Sequence, residues 1–181
     1  MALGVDPLVE KPPAPNGKRS IFEYVEDRFR GEGVPILFAD DSSNEIADYL
    51  AVRREASRVL VQLIHCKAAG ANPVPGNRVE DLFEVLGQAV KCRRWLDARR
   101  LIQQVKHRMT NTRQSRFIVG DVPTLETLLD DMTQLAYEVV VVQPGLSTAP
   151  KTTMADLVNA ADAYQRGADR LPLRLIGSTA T

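Results

Sequence analysis

The sequence predicts a mixed α/β domain, a β-sheet with helices packed against it. Short segments of β-branched and aliphatic residues alternate with longer segments whose apolar residues recur at helical spacing. The four-valine run Val139–Val142 reads as a strand buried on both faces, which belongs in the middle of a sheet with helices on either side. A chain of 181 residues fits one domain with a sizeable core and leaves too little for two.

Residues 1–19 hold four prolines and two glycines among scattered apolar residues, a composition suited to a flexible linker or N-terminal extension. Such an opening reads either as a seam to a larger polypeptide or as a natural N-terminus. The folded domain is expected over 20–177, with 178–181 as a tail. From Ser20 to Arg30, Ile21, Phe22, Val25 and Phe29 form an apolar stripe, Ser20 is a suitable N-cap and Glu23 completes an S-x-x-E capping box. Gly31 and Gly33 end this helix. A short apolar run at Pro35–Ala39 is followed by the turn-forming stretch 40–44, then by strands expected at Ile46–Val52 and Val59–Lys67 with a hairpin loop near Arg54–Ser57. After the loop Ala68–Asn77, the residues Leu82, Val85, Leu86, Ala89 and Val90 mark a helix. It continues through Leu101 and Val105, as one long helix or two in series. The last third gives a strand at Arg116–Val119, a helix at Thr124–Tyr137 with Pro123 near its first turn, the valine strand, a helix at Thr153–Arg166 and a strand at Leu173–Ile176.

Lys plus Arg and Asp plus Glu each number 23, so any nucleic-acid surface has to be a local patch on a neutral molecule. Cys66 and Cys92 are too few for a disulfide framework and lack the spacing of a zinc site, which points to a reducing, cytoplasmic setting. No apolar run approaches the roughly 20 residues of a membrane helix, and no signal-peptide core is visible. Neither a P-loop nor a G-x-G-x-x-G turn is present, which argues against a nucleotide-dependent small-molecule enzyme.

The alternation of strand side chains puts Asp48 in a row with Ile46, Leu50 and Val52, and puts His65 and Lys67 in a row with Val59, Val61 and Leu63. A loop centred near residue 56 pairs position 48 with about 63 or 64, within one or two residues of His65. Three polar groups then meet at the edge of an apolar face. Burial of such groups requires mutual pairing, a metal or a ligand, because an unpartnered buried charge costs several kcal/mol. The spacing allows two readings, an active site and an ordinary buried Asp–Lys pair.

An acidic residue on one strand, an x-x-K tripeptide about twenty residues later on the next, and a preceding helix resemble the core of the PD-(D/E)XK, restriction-endonuclease-like nuclease superfamily. Gln88, on the helix after the lysine, matches a glutamine found in several of its branches. The segments EIADYLAV, LIHCK, PGNRVEDLFEVLGQAVK and VVVVQPGL, in this order, resemble the nuclease-like domains attached to helicase-type ATPases in bacterial restriction and defence systems. The resemblance spans residues 20–177. It implies an α-β-β-β-α-β core, a mixed sheet flanked by helices, with C-terminal α/β additions.

It further implies metal-dependent hydrolysis of DNA phosphodiesters in restriction, defence or repair, with Mg2+ or Mn2+ as cofactor. DNA and a helicase or translocase ATPase, in cis or in trans, are the implied partners, and a homodimer is open. Asp48 would ligate the metal, His65 would stand where the second carboxylate ligand usually stands, and Lys67 would stabilise charge on the transition state. Imidazole suits manganese better than magnesium. Gln88 would contact a metal-bound water or the DNA backbone; read alone, it is a polar residue beside the apolar stripe. Glu26, between Phe22 and Phe29, is the candidate supporting acid from the first helix. The missing carboxylate at position 65, and Cys92 where a tyrosine often stands, also admit a degenerate fold that binds DNA or protein without cutting. Lys91, Arg93 and Arg94, followed by Arg99, Arg100, Lys106 and Arg108, are placed to neutralise DNA phosphates or simply to solvate a helix face. Trp95 reads as core packing, Asp40 and Asp41 as turn residues, and His107 has no partner in the pattern.

Overall fold

The computed structural model describes residues 4–41, 45–69, 79–130, 134–146, 152–169 and 172–177. They form a six-stranded mixed sheet in the order β4-β1-β2-β3-β5-β6, flanked by helices on both faces. Helix α1 (Ile21–Gly31) begins on the expected capping box: the Ser20 hydroxyl accepts from the Glu23 amide and the Glu23 carboxylate from the Ser20 amide. Strands β1 (Ile36–Ala39), β2 (Tyr49–Arg54) and β3 (Val59–Cys66) form the antiparallel meander. Helices α2 (Val79–Lys91) and α3 (Ala98–Asn111) run in series, divided by a 3-10 turn at Cys92–Trp95 and restarted by Asp97, whose carboxylate caps the Arg100 amide. Strand β4 (Arg116–Val119) returns to pair antiparallel with β1. Helix α4 (Val122–Asp130) leads to β5 (Leu135–Val142), and α5 (Thr152–Asp169) leads to β6 (Leu173–Ile176); β3, β5 and β6 are mutually parallel.

Side-chain alternation divides the core in two. One face carries Leu37, Tyr49, Ala51, Ile64, Val140 and Val142 against Phe22, Val25 and Phe29 of α1. The other carries Phe38, Leu50, Val61, Leu63, Val139 and Val141 against the apolar stripes of α2, α3 and α4 and Met154 of α5. Every residue of β3 is buried, as is each valine of the run in β5, in keeping with central strands covered on both sides. Gly120, at φ 81°, turns the chain from β4 into α4 where a Cβ would lie 2.4 Å from the Pro35 carbonyl oxygen, so no side chain fits.

Three expectations are corrected. The helix expected at 124–137 stops at Asp130, and Leu135–Tyr137 belong to β5, where they pair with Val59–Val61; an apolar run of this length fits either period. Strand β2 starts at Tyr49 rather than Ile46. The proline-rich opening is a strap rather than a flexible linker. Its Val9 and Glu10 carbonyls accept from the Ile21 and Phe22 amides at the start of α1, and its Pro7 carbonyl accepts from Ala69 just beyond β3. It is bridged to itself at Val5 and Arg19. The tail 178–181, turn residues 42–44 and most of the loop expected at 68–77 lie outside the described residues. Among those described, no helix is long and apolar enough to cross a membrane.

Candidate functional site

The β2–β3 register pairs Tyr49 with Ile64, so one further step along the ladder sets Asp48 beside His65. The three expected site residues are neighbours in the backbone, and their side chains diverge. Asp48 precedes the first ladder pair, and its carboxylate takes the Cys66 amide at 2.7 Å instead of standing on the apolar face. Burial first, offset by that amide and reinforced by Glu45, Glu10 and Asp41, pushes its carboxyl up to about 8. Lys67 continues the β3–β5 ladder through its amide to Val142, and its ammonium pairs with Glu84 of α2 at 2.8 Å. Burial alone would lower the lysine; the Glu84 carboxylate outweighs it and raises it.

His65 lies on the α2 face. It is 2% exposed, burial holds its imidazole down at about 4, and neither ring nitrogen has a hydrogen-bond partner. Beside it α2 and the 3-10 turn present Gln88, Lys91, Cys92 and Trp95, spaced i, i+3, i+4 and i+7 on one helical face. Together with Glu45, Ile46 and Arg94 they enclose a cavity of about 230 Å³. Two more buried polar atoms there have no partner, Gln88 Oε1 and Trp95 Nε1. Glu45 is pushed up to about 7 by burial and by the nearby Asp40 and Asp41. Thus His65 and Gln88 are brought together, while Asp48 and Lys67 are each satisfied elsewhere.

Glu26 is not part of this group. It lies on the α1 face, accepting from the Tyr49 hydroxyl at 3.1 Å and pairing with Arg30 and Arg116. The expected ligand set Asp48, His65 and Glu26 is therefore not assembled: Glu26 is across the sheet, and one Asp48 oxygen accepts the Cys66 amide. Among the described residues, no three His, Cys, Asp or Glu side chains are gathered as a metal site.

Of the basic residues, Lys91 and Arg94 line the His65 cavity. Arg93, Arg94 and Arg100 line an adjoining open concavity of about 520 Å³ with Tyr164 of α5, whose ring lies 5.0 Å beneath the Arg93 guanidinium. Arg108, read as a DNA contact or as part of a solvated helix face, is instead buried. Its Nε meets Asp40 at 2.5 Å, and the same carboxylate accepts from the Ser115 hydroxyl and the Ile46 amide. Asp40 is thereby a buried tie between β1, α3 and the approach to β4, more than a turn residue. Lys106 pairs with Glu126. His107 has a neighbour after all, the Asn111 amide one helical turn on.

Sequence reasoning missed Glu45 and Glu10. Glu45 carries a weak signal, a carboxylate three residues before Asp48; Glu10 carries none, because it sits in the strap and reaches the Ala68 amide only through the fold. Cys66 and Cys92 are free and buried, and burial pushes both thiols up, Cys92 to about 12. The chain matches no protein-family model, no curated protein and no solved structure.

Proposed function

We propose that this domain is a DNA-binding module built on a nuclease-like α-β-β-β-α-β core, gripping the nucleic acid at the junction of α2 and α3. The observation that carries the reading is the pair of adjoining concavities that share Arg94 and are lined by Lys91, Arg93 and Arg100. On a chain of zero net charge this is a local concentration of cations, with Tyr164 as an aromatic surface beside them. The strand order β1-β2-β3-β5, with α1 before the meander and α2 after it, supports the nuclease-like core. A helicase-type ATPase, in cis or in trans, is the partner the sequence resemblance implies, and restriction, defence or repair the setting.

Fluorescence anisotropy with labelled DNA across a salt series tests the reading. Binding weakens linearly in log–log form as salt rises, and Lys91→Ala, Arg94→Ala and Arg100→Ala each flatten the slope by about 1. An absence of binding at low salt, or slopes unmoved by all three changes, rejects it.

One observation favours a second reading, hydrolysis of DNA phosphodiesters. Asp48 is a buried carboxyl and Glu45, three residues before it, a half-buried one; both are pushed up toward neutrality, and Glu10 acts electrostatically on both Asp48 and Lys67. Titratable groups displaced in this way concentrate at catalytic sites. The test is plasmid nicking in Mg2+ and in Mn2+ by the wild type, Asp48→Ala, Lys67→Ala and His65→Asp. Loss of nicking in the first two variants and improved Mg2+-supported nicking in the third support hydrolysis. A wild type that neither nicks DNA nor takes up either ion in calorimetry removes it.

A further inference from the structure

We propose that the His65–Gln88–Trp95 cavity is a nucleobase pocket, taking a base edge-on against its unpartnered polar atoms while Lys91 and Arg94 at its mouth hold the attached phosphate. The inference deepens the DNA-binding reading and rests on it for the source of the base.

Three residues that line one cavity carry four buried polar atoms without partners: both ring nitrogens of His65, Gln88 Oε1 and Trp95 Nε1. Orphaned buried groups are costly, and four in one place mark a site made to be filled. Their chemistry narrows the occupant. The imidazole is held neutral, so it offers one N–H donor and one nitrogen acceptor. Gln88 Oε1 adds an acceptor and the indole N–H a donor. A simple anion uses donors only and meets Gln88 Oε1 and Glu45 unfavourably; a simple cation has no use for the indole N–H. A planar heterocycle with donors and acceptors along one edge satisfies both kinds, and this is what a base presents when it is drawn out of a stack.

Size and surroundings agree. At roughly 30 Å³ per water, the cavity of about 230 Å³ has the room of seven or eight waters, enough for a heterocyclic ring. Ile46, Cys92 and the Trp95 ring supply apolar walls, the cations are the exposed Lys91 and Arg94, and Glu45 adds a carboxyl to the lining. The Arg94 guanidinium lies 4.8 Å from the Trp95 ring centroid, poised between the aromatic wall and the mouth. That mouth adjoins the concavity lined by Arg93 and Arg100, so a phosphate at Arg94 continues onto the surface proposed to carry the strand.

Trp95 is the only tryptophan, which makes its fluorescence a reporter of this cavity. The full chain is titrated separately with the four deoxynucleoside 5′-monophosphates, with inorganic phosphate, and with a single-stranded oligonucleotide. The His65 ring is followed in parallel by NMR, with His107 as the internal control. Expected are saturable Trp95 quenching and a His65 shift with at least one mononucleotide and none with phosphate. Gln88→Leu and His65→Phe weaken that binding about tenfold each, and Arg94→Ala weakens mononucleotide and oligonucleotide alike. The wild-type NMR signal needs no variant to fold. If oligonucleotide produces the same Trp95 and His65 response, the base comes from a strand; a response to mononucleotides alone makes it a free nucleotide and leaves the strand reading without this support. Oligonucleotide binding that leaves Trp95 and His65 unmoved overturns the pocket while the DNA-binding reading stands. No binding of any of these ligands overturns both.

Discussion

Asp48 occupies the last place before β2 enters the sheet, where its backbone carbonyl accepts from Asp40 and its carboxylate from Cys66. Because its carboxyl rises to about 8 in the folded protein, the unfolded chain ionises first as pH increases, and stability is lost from about pH 4 up to pH 8. Asp48→Asn keeps an acceptor for the Cys66 amide without the ionisation. It is expected to flatten this decline and to stabilise the fold at pH 8 by on the order of 2–4 kcal/mol, read from urea melts at pH 5 and pH 8. His65 works in the opposite sense: with its folded value near 4, stability falls as pH drops from about 6.5 toward 4. Asp40 and Arg108 are a different kind of buried charge, paired and further bonded. Arg108→Met leaves Asp40 without its cation and is expected to cost roughly 3–5 kcal/mol in chemical denaturation. Sequence reading located the Asp48–His65 neighbourhood because strand alternation and loop length are local. It did not find the Asp40–Arg108 pair or the path of Lys67 to Glu84, since both depend on helices that return from far along the chain.

At the scale of elements, what was legible followed from period and caps. The stripe of α1 with its capping box, the order of the meander, the central valine strand and the last helix–strand pair follow the apolar pattern. Errors arose where a pattern had two solutions. Leu135–Tyr137 fit a helix as well as a strand, and pairing with β3 decided the matter. The strap had no period at all, and its structure comes from carbonyls that satisfy amides exposed at the start of α1 and beyond the end of β3. Deleting residues 1–11 removes the acceptors used by Ile21, Phe22, Ala68 and Ala69. The expected result is a loss of about 2–5 kcal/mol, at about 1 kcal/mol per bond, seen as a lower thermal midpoint. A melting point equal to that of the full chain would show that water replaces those bonds at no cost.

Across the molecule the sheet is graded from centre to edge. Strands β3 and β5 are eight residues each, paired along their full length, and the valine half of β5 is buried on both faces. Strands β4 and β6 are four residues each and half exposed. Native-state hydrogen exchange is therefore expected to be slowest at Val61–Ile64 and Val139–Val142, approaching global unfolding, and faster in β4 and β6. Equal protection in all six strands would contradict the gradient. Function was less legible than architecture at this scale. The proposed nucleobase cavity draws Glu45 from the approach to β2, His65 from β3 and Gln88 and Trp95 from the α2 arm, which no single stretch of sequence displays.

The strap carries a mechanical consequence. A pull on the chain at Gly4 meets first the Asp6–Arg19, Pro7–Ala69, Val9–Ile21 and Glu10–Phe22 hydrogen bonds, with the Glu10 carboxylate on the Ala68 amide and Lys11 on Asp41 beside them. Those few contacts must rupture before tension enters the central strands, so the segment is a fuse: under load it yields first, and the sheet keeps its shape while the tether lengthens.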